Sequence, residues 1–240
     1  MAAGKGTRMK SARPKVLHRL GGRALLAHVL DTAVQLSARR AVVIVGHQAD
    51  QVQAAVQALP PTGTTLAFAL QEPQLGTGHA VQQALPLLAD DGVTLILSGD
   101  VPLTQPETLQ ALLGLCQGSQ LALLTLEMAD PSGYGRIVRE GEQVRAIVEH
   151  KDATDAQRRI TEIYSGIMAL PTRLLRQWLA RLDNKNAQQE YYLTDIVRFA
   201  VADGMPVLAH RISDAVQVAG VNSPLQLAEL ERAHQLRQAR

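Results

Sequence analysis

The stretch Val93-Thr-Leu-Ile-Leu-Ser-Gly-Asp100 is the clearest buried strand in the sequence, an apolar run that ends in a serine, a glycine and an aspartate. Such a run is typical of a strand covered on both faces, as in a parallel sheet with helices on either side. Ligands of these sheets lie outside the carboxyl ends of the strands, so Asp100 is well placed to hold a metal ion. The plainer alternative is an aspartate that caps the following turn, and this residue alone does not decide between the two.

Short apolar runs alternate with amphipathic segments on both sides of this stretch. The predicted strands are 41–46, 64–70 and 121–128, and the predicted helices are 24–36, 49–59, 78–89 and 105–115. Alternation of strands and helices predicts an α/β fold, a Rossmann-like mixed, mainly parallel sheet flanked by helices.

The rhythm changes after residue 130. Residues 136–150 have the pattern of a β-hairpin, and 162–170 form another strand, so we expect a small β subregion at roughly 130–222. Further predicted elements are helices at 172–182 and 190–203 and short strands at 206–212 and 215–221. We expect one domain over 1–222, followed by a C-terminal helix at 223–240 that begins after Ser223.

Composition excludes several classes of protein. The 240 residues are 46% apolar and carry a net charge of +2, which gives no basic surface of the size that nucleic acid requires. Cys116 is the only cysteine, so no intrachain disulfide can form, and its apolar surroundings predict a buried thiol. No apolar run approaches the ~20 residues that span a bilayer, and the polar N-terminus is unlike a secretory signal. We therefore expect a cytoplasmic protein with no membrane partner.

The first nine residues suit a phosphate. Small residues and the glycines Gly4 and Gly6 let the backbone approach an anion, and successive N–H groups can form an anion-binding nest. Arg8 and Lys15 add positive charge close by. The alternative is a flexible polar tail.

Three further segments could carry chemistry or be ordinary structure. The loop at 71–79, Q-E-P-Q-L-G-T-G-H, opens a helix and could approach a base, or it could be a simple loop with a cap at Thr77. Glu149 and the segment 190–195 could bind a ligand or lie on a solvated surface. Zinc-spaced Cys and His residues, a G-x-S-x-G elbow and a P-loop motif are absent from the sequence, which disfavours those hydrolases and NTPases.

Eight motifs in order resemble one family. They are A-A-G-K-G-T-R-M, P-K-V-L, Q-L-G-T-G-H-A, G-D-V-P-L, G-Y-G-R-I, I-V-E-H-K-D-A, N-A-Q-x-E-Y-Y-L-T-D and G-V-N. The chain resembles the N-terminal uridyltransferase domain of the bacterial bifunctional GlmU family from residue 1 to about 235.

The resemblance implies a reaction in which Mg²⁺ organises UTP, a phosphate oxygen of N-acetylglucosamine 1-phosphate attacks the α-phosphorus, and pyrophosphate leaves. UDP-N-acetylglucosamine is then the product, a precursor for cell-wall and lipopolysaccharide synthesis. The implied catalytic residues are Arg8, Lys15 and Asp100, and the implied metal ligands are Asp100 and Asn222. The implied nucleotide-binding residues are Met1, Ala2, Ala3, Gly4, Lys15, Gln71, Gly76, Thr77, Ser98, Gly99 and Asp100. The implied sugar-binding residues are Gly135, Glu149, Ser165, Tyr192, Thr194 and Asn222.

This division of roles agrees with the chemistry of phosphoryl transfer. The reaction needs positioning and neutralised charge more than a covalent nucleophile. A phosphate dianion is already nucleophilic, so no general base is required.

Three features depart from the family pattern. An apolar strand precedes A-A-G in the family, and we expect a chain without it to be poorly stable or weakly active. Ser98 stands where an aromatic residue is common, and Ser165-Gly166 stands where N-T-G is common, which bears on sugar selectivity. The second half of the family's proteins, a β-helix acetyltransferase that forms trimers, is not part of this sequence, so we expect a monomer without acetyl transfer.

Two alternatives stay open at this point. One is a related sugar-1-phosphate nucleotidyltransferase of other specificity. The other is an inactive, truncated nucleotide-binding relic.

Overall fold

The computed structural model describes residues 1–239, and within them the chain forms ten strands and eight α-helices. The strands are β1 (Arg19–Leu20), β2 (Arg23–Ala24), β3 (Arg40–Val45), β4 (Thr65–Leu70), β5 (Val93–Ile96), β6 (Leu121–Glu127), β7 (Arg136–Glu140), β8 (Gln143–Val148), β9 (Glu162–Pro171) and β10 (Val207–Ile212). The helices are α1 (Leu25–Gln35), α2 (Ala49–Gln57), α3 (Thr77–Ala84), α4 (Pro106–Cys116), α5 (Asp155–Arg158), α6 (Thr172–Leu179), α7 (Ile196–Ala202) and α8 (Pro224–Gln238).

The chain divides into two compact units. The first comprises Met1–Gln74, Leu97–Leu109 and the segment from Val216 onwards. The second comprises Leu75–Ile96 and Gln110–Ala215. The predicted limits of one domain at 1–222 and of a β subregion from about 130 stay predictions.

The first unit is built on the parallel pair β3 and β4, which are in register from Arg40 opposite Thr65 to Val45 opposite Leu70. Apolar side chains of β3, α1 and α2 form its core, because the helices present leucines and valines at helical spacing towards the strand. The core residues are Ala2, Val16, Leu26, Leu30, Val43, Val45, Val52 and Val56.

Residues 1–3 pair with neighbouring backbone on two sides within this unit. The N–H of Ala2 donates to the carbonyl of Ile44 at 2.8 Å, and the N–H of His47 donates to the carbonyl of Ala3 at 3.2 Å. On the other side, the N–H of Gly99 donates to the carbonyl of Met1 at 2.8 Å. The glycine-rich loop is therefore aimed by sheet-like pairing. The expected gain in stability from an apolar strand upstream stays a prediction.

The second unit holds a six-stranded sheet. Its order is β10-β6-β9-β7-β8, with β5 also paired to β9. β10 and β6 are parallel, whereas β9 runs antiparallel to β5, β6 and β7. The predicted mixed sheet flanked by helices is confirmed. Antiparallel pairs outnumber the parallel pair in this sheet because the ten-residue β9 lies between strands that run the other way.

One predicted strand is wrong. Residues 215–221 were expected to form a strand, but Ala215–Val218 form a 3₁₀ helix. The carbonyl of Gln217 accepts a hydrogen bond from the Thr104 hydroxyl at 2.8 Å, and its side-chain Oε1 accepts one from the Thr108 hydroxyl at 2.7 Å. These bonds turn Gln217 inward, where it is buried, so side chains satisfy groups that a strand would give to a ladder.

The helix predicted at 190–203 begins later than expected. Its first residues are extended, because the N–H of Tyr191 donates to the carbonyl of Leu75 and the carbonyl of Tyr191 accepts from Gly78. A 3₁₀ turn over Leu193–Asp195 then leads into α7.

Two smaller expectations are confirmed. The Ser223 hydroxyl caps α8 by accepting a hydrogen bond from the N–H of Gln226 at 3.2 Å. Cys116 is buried, and that burial raises the pKa of its thiol, so the neutral form is favoured. Within residues 1–239, every helix is too short or too polar to cross a membrane.

A buried carboxylate on β9 joins three strands. Glu162 is 6% exposed and accepts hydrogen bonds from Arg139 Nε at 2.6 Å and from the Thr125 hydroxyl at 2.8 Å. Arg211 Nη2 lies 3.4 Å from Oε2 of Glu162. Burial acts to raise the pKa of Glu162, but the hydrogen bonds from Arg139 and Thr125 outweigh it and hold the pKa below its ordinary value.

We expect Glu162→Gln to lower the free energy of unfolding by about 3 kcal/mol, because the variant leaves the partly buried guanidinium of Arg139 poorly compensated. The loss should shrink as the pH falls below the ordinary carboxyl pKa, because protons then bind Glu162 in the unfolded wild-type chain first, and in the folded protein only at its lowered pKa. Denaturant unfolding at neutral and acid pH measures both effects.

The matched control is Glu127→Gln, which also removes a partner of Arg211 but from a side chain that is 59% exposed. It should cost less than about 1 kcal/mol. Equal losses in the two variants would show that burial of Glu162 contributes nothing.

Candidate active site

Three polar side chains from distant parts of the sequence meet in the first unit. Lys15 Nζ donates to Asp100 Oδ2 at 2.5 Å and to Asn222 Oδ1 at 3.0 Å. The side chains of Lys15 and Asp100 are 15% and 17% exposed, so water reaches them only in part. The structure thus brings together the predicted phosphate lysine and both predicted metal ligands.

Backbone geometry fixes the position of the lysine. Pro14, with a φ of −50°, leads into a 3₁₀ turn over Lys15–Leu17, which directs the lysine stem towards the glycine-rich loop. Gly6 has a φ of +59°, and a Cβ placed on it would lie 2.6 Å from the Cβ of Lys15. A glycine is therefore required at position 6, because any other residue would be strained and would displace the lysine.

Asp100 and Asn222 are held to each other through the backbone. The N–H of Val221 donates to the carbonyl of Asp100 at 2.9 Å, which places the next residue, Asn222, beside the carboxylate. The N–H of Asn222 is itself held by the side chain of Gln226 at 2.8 Å. Gly220 lies near both side chains: a Cβ added to it would be 3.6 Å from Asn222 Nδ2 and 3.7 Å from Asp100 Oδ2.

The predicted nucleotide-binding backbone lies in the same unit. Ala2 and Ala3 are buried, Gly4 is exposed, and a Cβ added to Gly4 would meet open space. The carbonyl of Ala3 accepts a second hydrogen bond, from Gln74 Nε2 at 3.2 Å. Arg8 is exposed, and Gln71 is buried with its N–H bonded to the carbonyl of Val45.

The beginning of this loop is enclosed. The amino group of Met1 donates to the carbonyl of Leu97 at 2.7 Å. Burial lowers the pKa of that amino group to about 6, while the charge of Asp100 acts in the opposite direction. Met1 and Gly99 therefore lie close to Asp100, and their role in binding a nucleotide stays a prediction.

The oxygens of Asp100 and Asn222 suit a hard cation. They already hold the positive charge of the Lys15 ammonium, and carboxylate and amide oxygens are the ligands that Mg²⁺ prefers. Within residues 1–239 no group of three or more His, Cys, Asp or Glu side chains is arranged to hold a metal. A cation at Asp100 would therefore need phosphate oxygens and water to complete its coordination.

A second group of predicted residues lies in the second unit. The Thr194 hydroxyl donates to Glu149 Oε1 at 2.9 Å. A Cβ on Gly135 would lie 3.8 Å from both carboxylate oxygens of Glu149 and 2.7 Å from Ile147, so a glycine leaves the space beside the carboxylate open. Burial raises the pKa of Glu149, the nearby charges of Asp152, Asp195 and Glu190 add to this rise, and the Thr194 hydrogen bond opposes it.

Tyr192 belongs to the same group. Its hydroxyl donates to Asp152 Oδ2 and accepts from Gln188 Nε2, both at 3.0 Å. Burial raises the pKa of Tyr192 to about 12, so the phenol is neutral at physiological pH. Sequence reasoning missed Asp152 and Gln188, although both lie inside the quoted motifs.

The loop with Gly76 and Thr77 is shaped by the segment at 190–193. Gly76 has a φ of +105°, and a Cβ there would lie 2.7 Å from the carbonyl oxygen of Tyr191. The Thr77 hydroxyl accepts a hydrogen bond from the N–H of Leu193 at 3.1 Å. These two predicted nucleotide contacts thus also fix the backbone that carries Tyr192 and Thr194.

The hydroxyls of Ser165 and of its neighbour Tyr164 differ in their hydrogen bonding. The Ser165 hydroxyl donates to the carbonyl of Leu124 at 2.7 Å, so part of its bonding capacity is used inside the sheet. Tyr164, which sequence reasoning missed, has a buried hydroxyl without a hydrogen-bond partner among the described residues. Burial, with a smaller contribution from the charge of Glu149, raises its pKa well above the ordinary value.

Most of the chain matches a known protein family. Residues 1–211 match the family described as the MobA-like NTP transferase domain. The chain belongs to this family of NTP transferase domains. The predicted site residues lie within the matched residues 1–211, except for Asn222, which follows them in the sequence.

Relatives of this NTP transferase domain carry a more specific name. The chain is 73% identical over 253 residues to a Bifunctional protein GlmU of a Polaromonas species, covering 100% of this chain and 53% of that protein. It is also 73% identical over 245 residues to the protein of the same name from Polaromonas naphthalenivorans, covering 100% and 52%. The chain therefore spans about half the length of the curated relatives it matches, and its similarity to them runs along its whole length.

A solved structure supports the fold alone. A UDP-glucose pyrophosphorylase complexed with UDP-glucose superposes with a TM-score of 0.78 at 17% identity, covering 98% of this chain and 97% of that one.

We expect Glu149→Gln to raise the melting temperature at pH 7.5 by about 1–4 °C. The folded protein binds the Glu149 proton more tightly than the unfolded chain, so this residue costs stability as the pH rises through its raised pKa. Glutamine removes that cost and still accepts from Thr194. The gain should vanish near pH 4, where both folded and unfolded carboxyls are protonated.

Glu142→Gln, on the exposed end of the same hairpin, is the control for this prediction and should change little at either pH. Scanning calorimetry at the two pH values measures the difference. A melting temperature that falls at pH 7.5 in Glu149→Gln would mean that the ionised carboxylate stabilises the fold.

Proposed function

We propose that the chain transfers UMP from UTP to N-acetylglucosamine 1-phosphate in a Mg²⁺-dependent reaction that yields UDP-N-acetylglucosamine and pyrophosphate. The observation that carries the proposal is the group of Lys15, Asp100 and Asn222 beside the backbone of residues 1–4. The names of the GlmU relatives support the choice of substrates.

The residues of the first unit divide the work of binding the triphosphate. The backbone of residues 1–3 is fixed by sheet-like pairing, so the amides that follow it in the glycine-rich loop can bind phosphate oxygens with little loss of freedom. Lys15 and Arg8 contribute positive charge to the α-, β- and γ-phosphates. Asp100 and Asn222 would hold Mg²⁺, which when bound neutralises the charge that develops on phosphate oxygens.

The residues of the second unit suit an amino sugar. Glu149 offers a hydrogen-bond acceptor, Thr194 orients its carboxylate, and Gly135 leaves room beside it. The Tyr192 hydroxyl, which donates to Asp152, keeps capacity to accept a hydrogen bond. We propose that these side chains bind the N-acetylglucosamine moiety, with Gln71, Gly76 and Thr77 at the uracil and ribose. A hydroxyl-rich ligand satisfies buried polar groups that an apolar ligand would leave unpaired.

The remaining aspects of the proposal concern the setting. We propose Mg²⁺ as the cofactor, two small molecules as the partners and the bacterial cytoplasm as the location, where the product feeds cell-wall and lipopolysaccharide synthesis. A monomer is the expected state of this chain, and light scattering after size exclusion tests it.

The decisive assay measures pyrophosphate release with UTP, N-acetylglucosamine 1-phosphate and Mg²⁺. Release should depend on all three. Glucose 1-phosphate in place of the amino sugar phosphate, or dTTP in place of UTP, should lower kcat/KM at least about tenfold. Preference for either substitute would support a transferase of other specificity, and no release with any pair would support an inactive nucleotide-binding relic.

We expect Asp100→Asn to reduce kcat about 10²–10³-fold, because the variant removes the anionic oxygen that holds positive charge at the phosphates. The variant should keep the wild-type fold by circular dichroism, but its melting temperature should fall, because the partly buried ammonium of Lys15 loses the carboxylate that compensates its charge.

Asp31→Asn, which removes a carboxylate from the exposed ion pair with Arg23 in the same unit, is the matched control and should keep full activity. Unchanged turnover in Asp100→Asn would remove Asp100 from the mechanism.

A further inference from the structure

Lys15 occupies the space between the two side chains that would hold a metal. Its ammonium bonds to Oδ2 of Asp100 and to Oδ1 of Asn222, the same two oxygens that suit a divalent cation. Each oxygen can serve a cation only in the directions of its lone pairs, and an ammonium and a metal ion at one point would repel each other. Lysine and metal therefore compete for one place.

The lysine is also built to leave that place. Gly6 lies beside the Cβ, Cγ and Cδ of its stem, and the bonds beyond them can rotate to redirect the ammonium. The glycine-rich loop that follows the paired residues 1–3 is the segment proposed above to bind the phosphates. An arriving triphosphate therefore offers the ammonium a stronger, more highly charged partner a short distance away.

We propose that Lys15 is a resident cation, which fills the metal position in the free protein and moves to the phosphates when nucleotide and metal arrive together. Because the lysine must vacate Asp100 and Asn222 before a divalent ion can bind there, the free protein binds the ion weakly. A phosphate that draws Lys15 away makes the metal bind more tightly, and linkage requires that the metal also favours the phosphate. The inference rests on the proposed function only in taking a divalent cation as the cofactor.

This arrangement has a consequence for the order of events. A carboxylate beside an amide, with no ammonium between them, would attract free divalent ions at all times. With Lys15 in place, the charge of Asp100 is neutralised until a nucleotide binds. Lys15 is then a positioning residue for the metal as well as a phosphate ligand.

Binding of Mn²⁺ to the whole chain without nucleotide tests the proposal. Free Mn²⁺ gives an electron paramagnetic resonance signal that weakens on binding, so a titration yields the Kd directly. The variant Lys15→Met, which keeps most of the length of the side chain and removes its charge, should bind Mn²⁺ at least tenfold more tightly than the wild type. Circular dichroism and a thermal melt check that the variant folds.

Two further variants make the result specific. Lys15→Arg keeps the positive charge and should bind Mn²⁺ as weakly as the wild type. Asp100→Asn combined with Lys15→Met should lose the tight binding, which places the ion at Asp100.

Several outcomes would overturn the proposal. These are equal or weaker Mn²⁺ binding in Lys15→Met, equal tightening in Lys15→Arg, or tightening that survives the loss of Asp100. Because no sugar or nucleotide is present, tighter binding in Lys15→Met would stand even if the pyrophosphate assay failed. A positive pyrophosphate assay would likewise stand if Lys15→Met did not tighten Mn²⁺ binding.

Discussion

The contact of one ammonium with one carboxylate and one amide oxygen is the interaction on which the candidate site depends. Lys15, Asp100 and Asn222 are far apart in the sequence, and the Lys15 ammonium lies 2.5 Å from Asp100 Oδ2 and 3.0 Å from Asn222 Oδ1. A half-buried carboxylate is costly unless a positive charge compensates it. The first unit therefore needs a cation beside Asp100 for its stability. The proposed reaction needs a cation at the same position to neutralise the charge of the phosphates.

The backbone around this contact explains how it is held. Residues 1–3 are paired on two sides, so the chain that precedes Gly4 has little freedom, and Gly6 sets where the lysine stem begins. The N–H of Val221 donates to the carbonyl of Asp100. Gln217, which lies shortly before Val221 in the sequence and is buried, is fixed by hydrogen bonds from the hydroxyls of Thr104 and Thr108. Hydrogen bonds between groups that take no part in the proposed reaction thus hold the functional side chains in place, which preorganises the site for charged ligands.

Much of this was predictable from sequence, for identifiable reasons. The strands at β3, β4 and β6 and the helices α1, α2 and α4 follow from apolar periodicity, and the glycine-rich loop and Asp100 follow from residue types that phosphates and cations require. Residues 215–221 misled because an apolar run of β-branched residues indicates a strand, whereas tertiary hydrogen bonds to Gln217 decided the outcome. Tyr164 could not be singled out from sequence because its role depends on burial, and the packing of Gly6 beside Lys15 could not because it depends on the fold. The proposed substrates were predicted from the eight motifs in order, because no single residue indicates them.

Anomalous diffraction from crystals grown with Mn²⁺ and UDP-N-acetylglucosamine tests the central claim most directly, because it locates the metal without reference to activity. The account predicts an anomalous peak bonded to oxygens of Asp100, Asn222 and the diphosphate, with Lys15 Nζ withdrawn from Asp100 and directed at a phosphate oxygen. A diphosphate bound next to residues 2–4 with Lys15 still between Asp100 and Asn222, and with the manganese elsewhere, would contradict it.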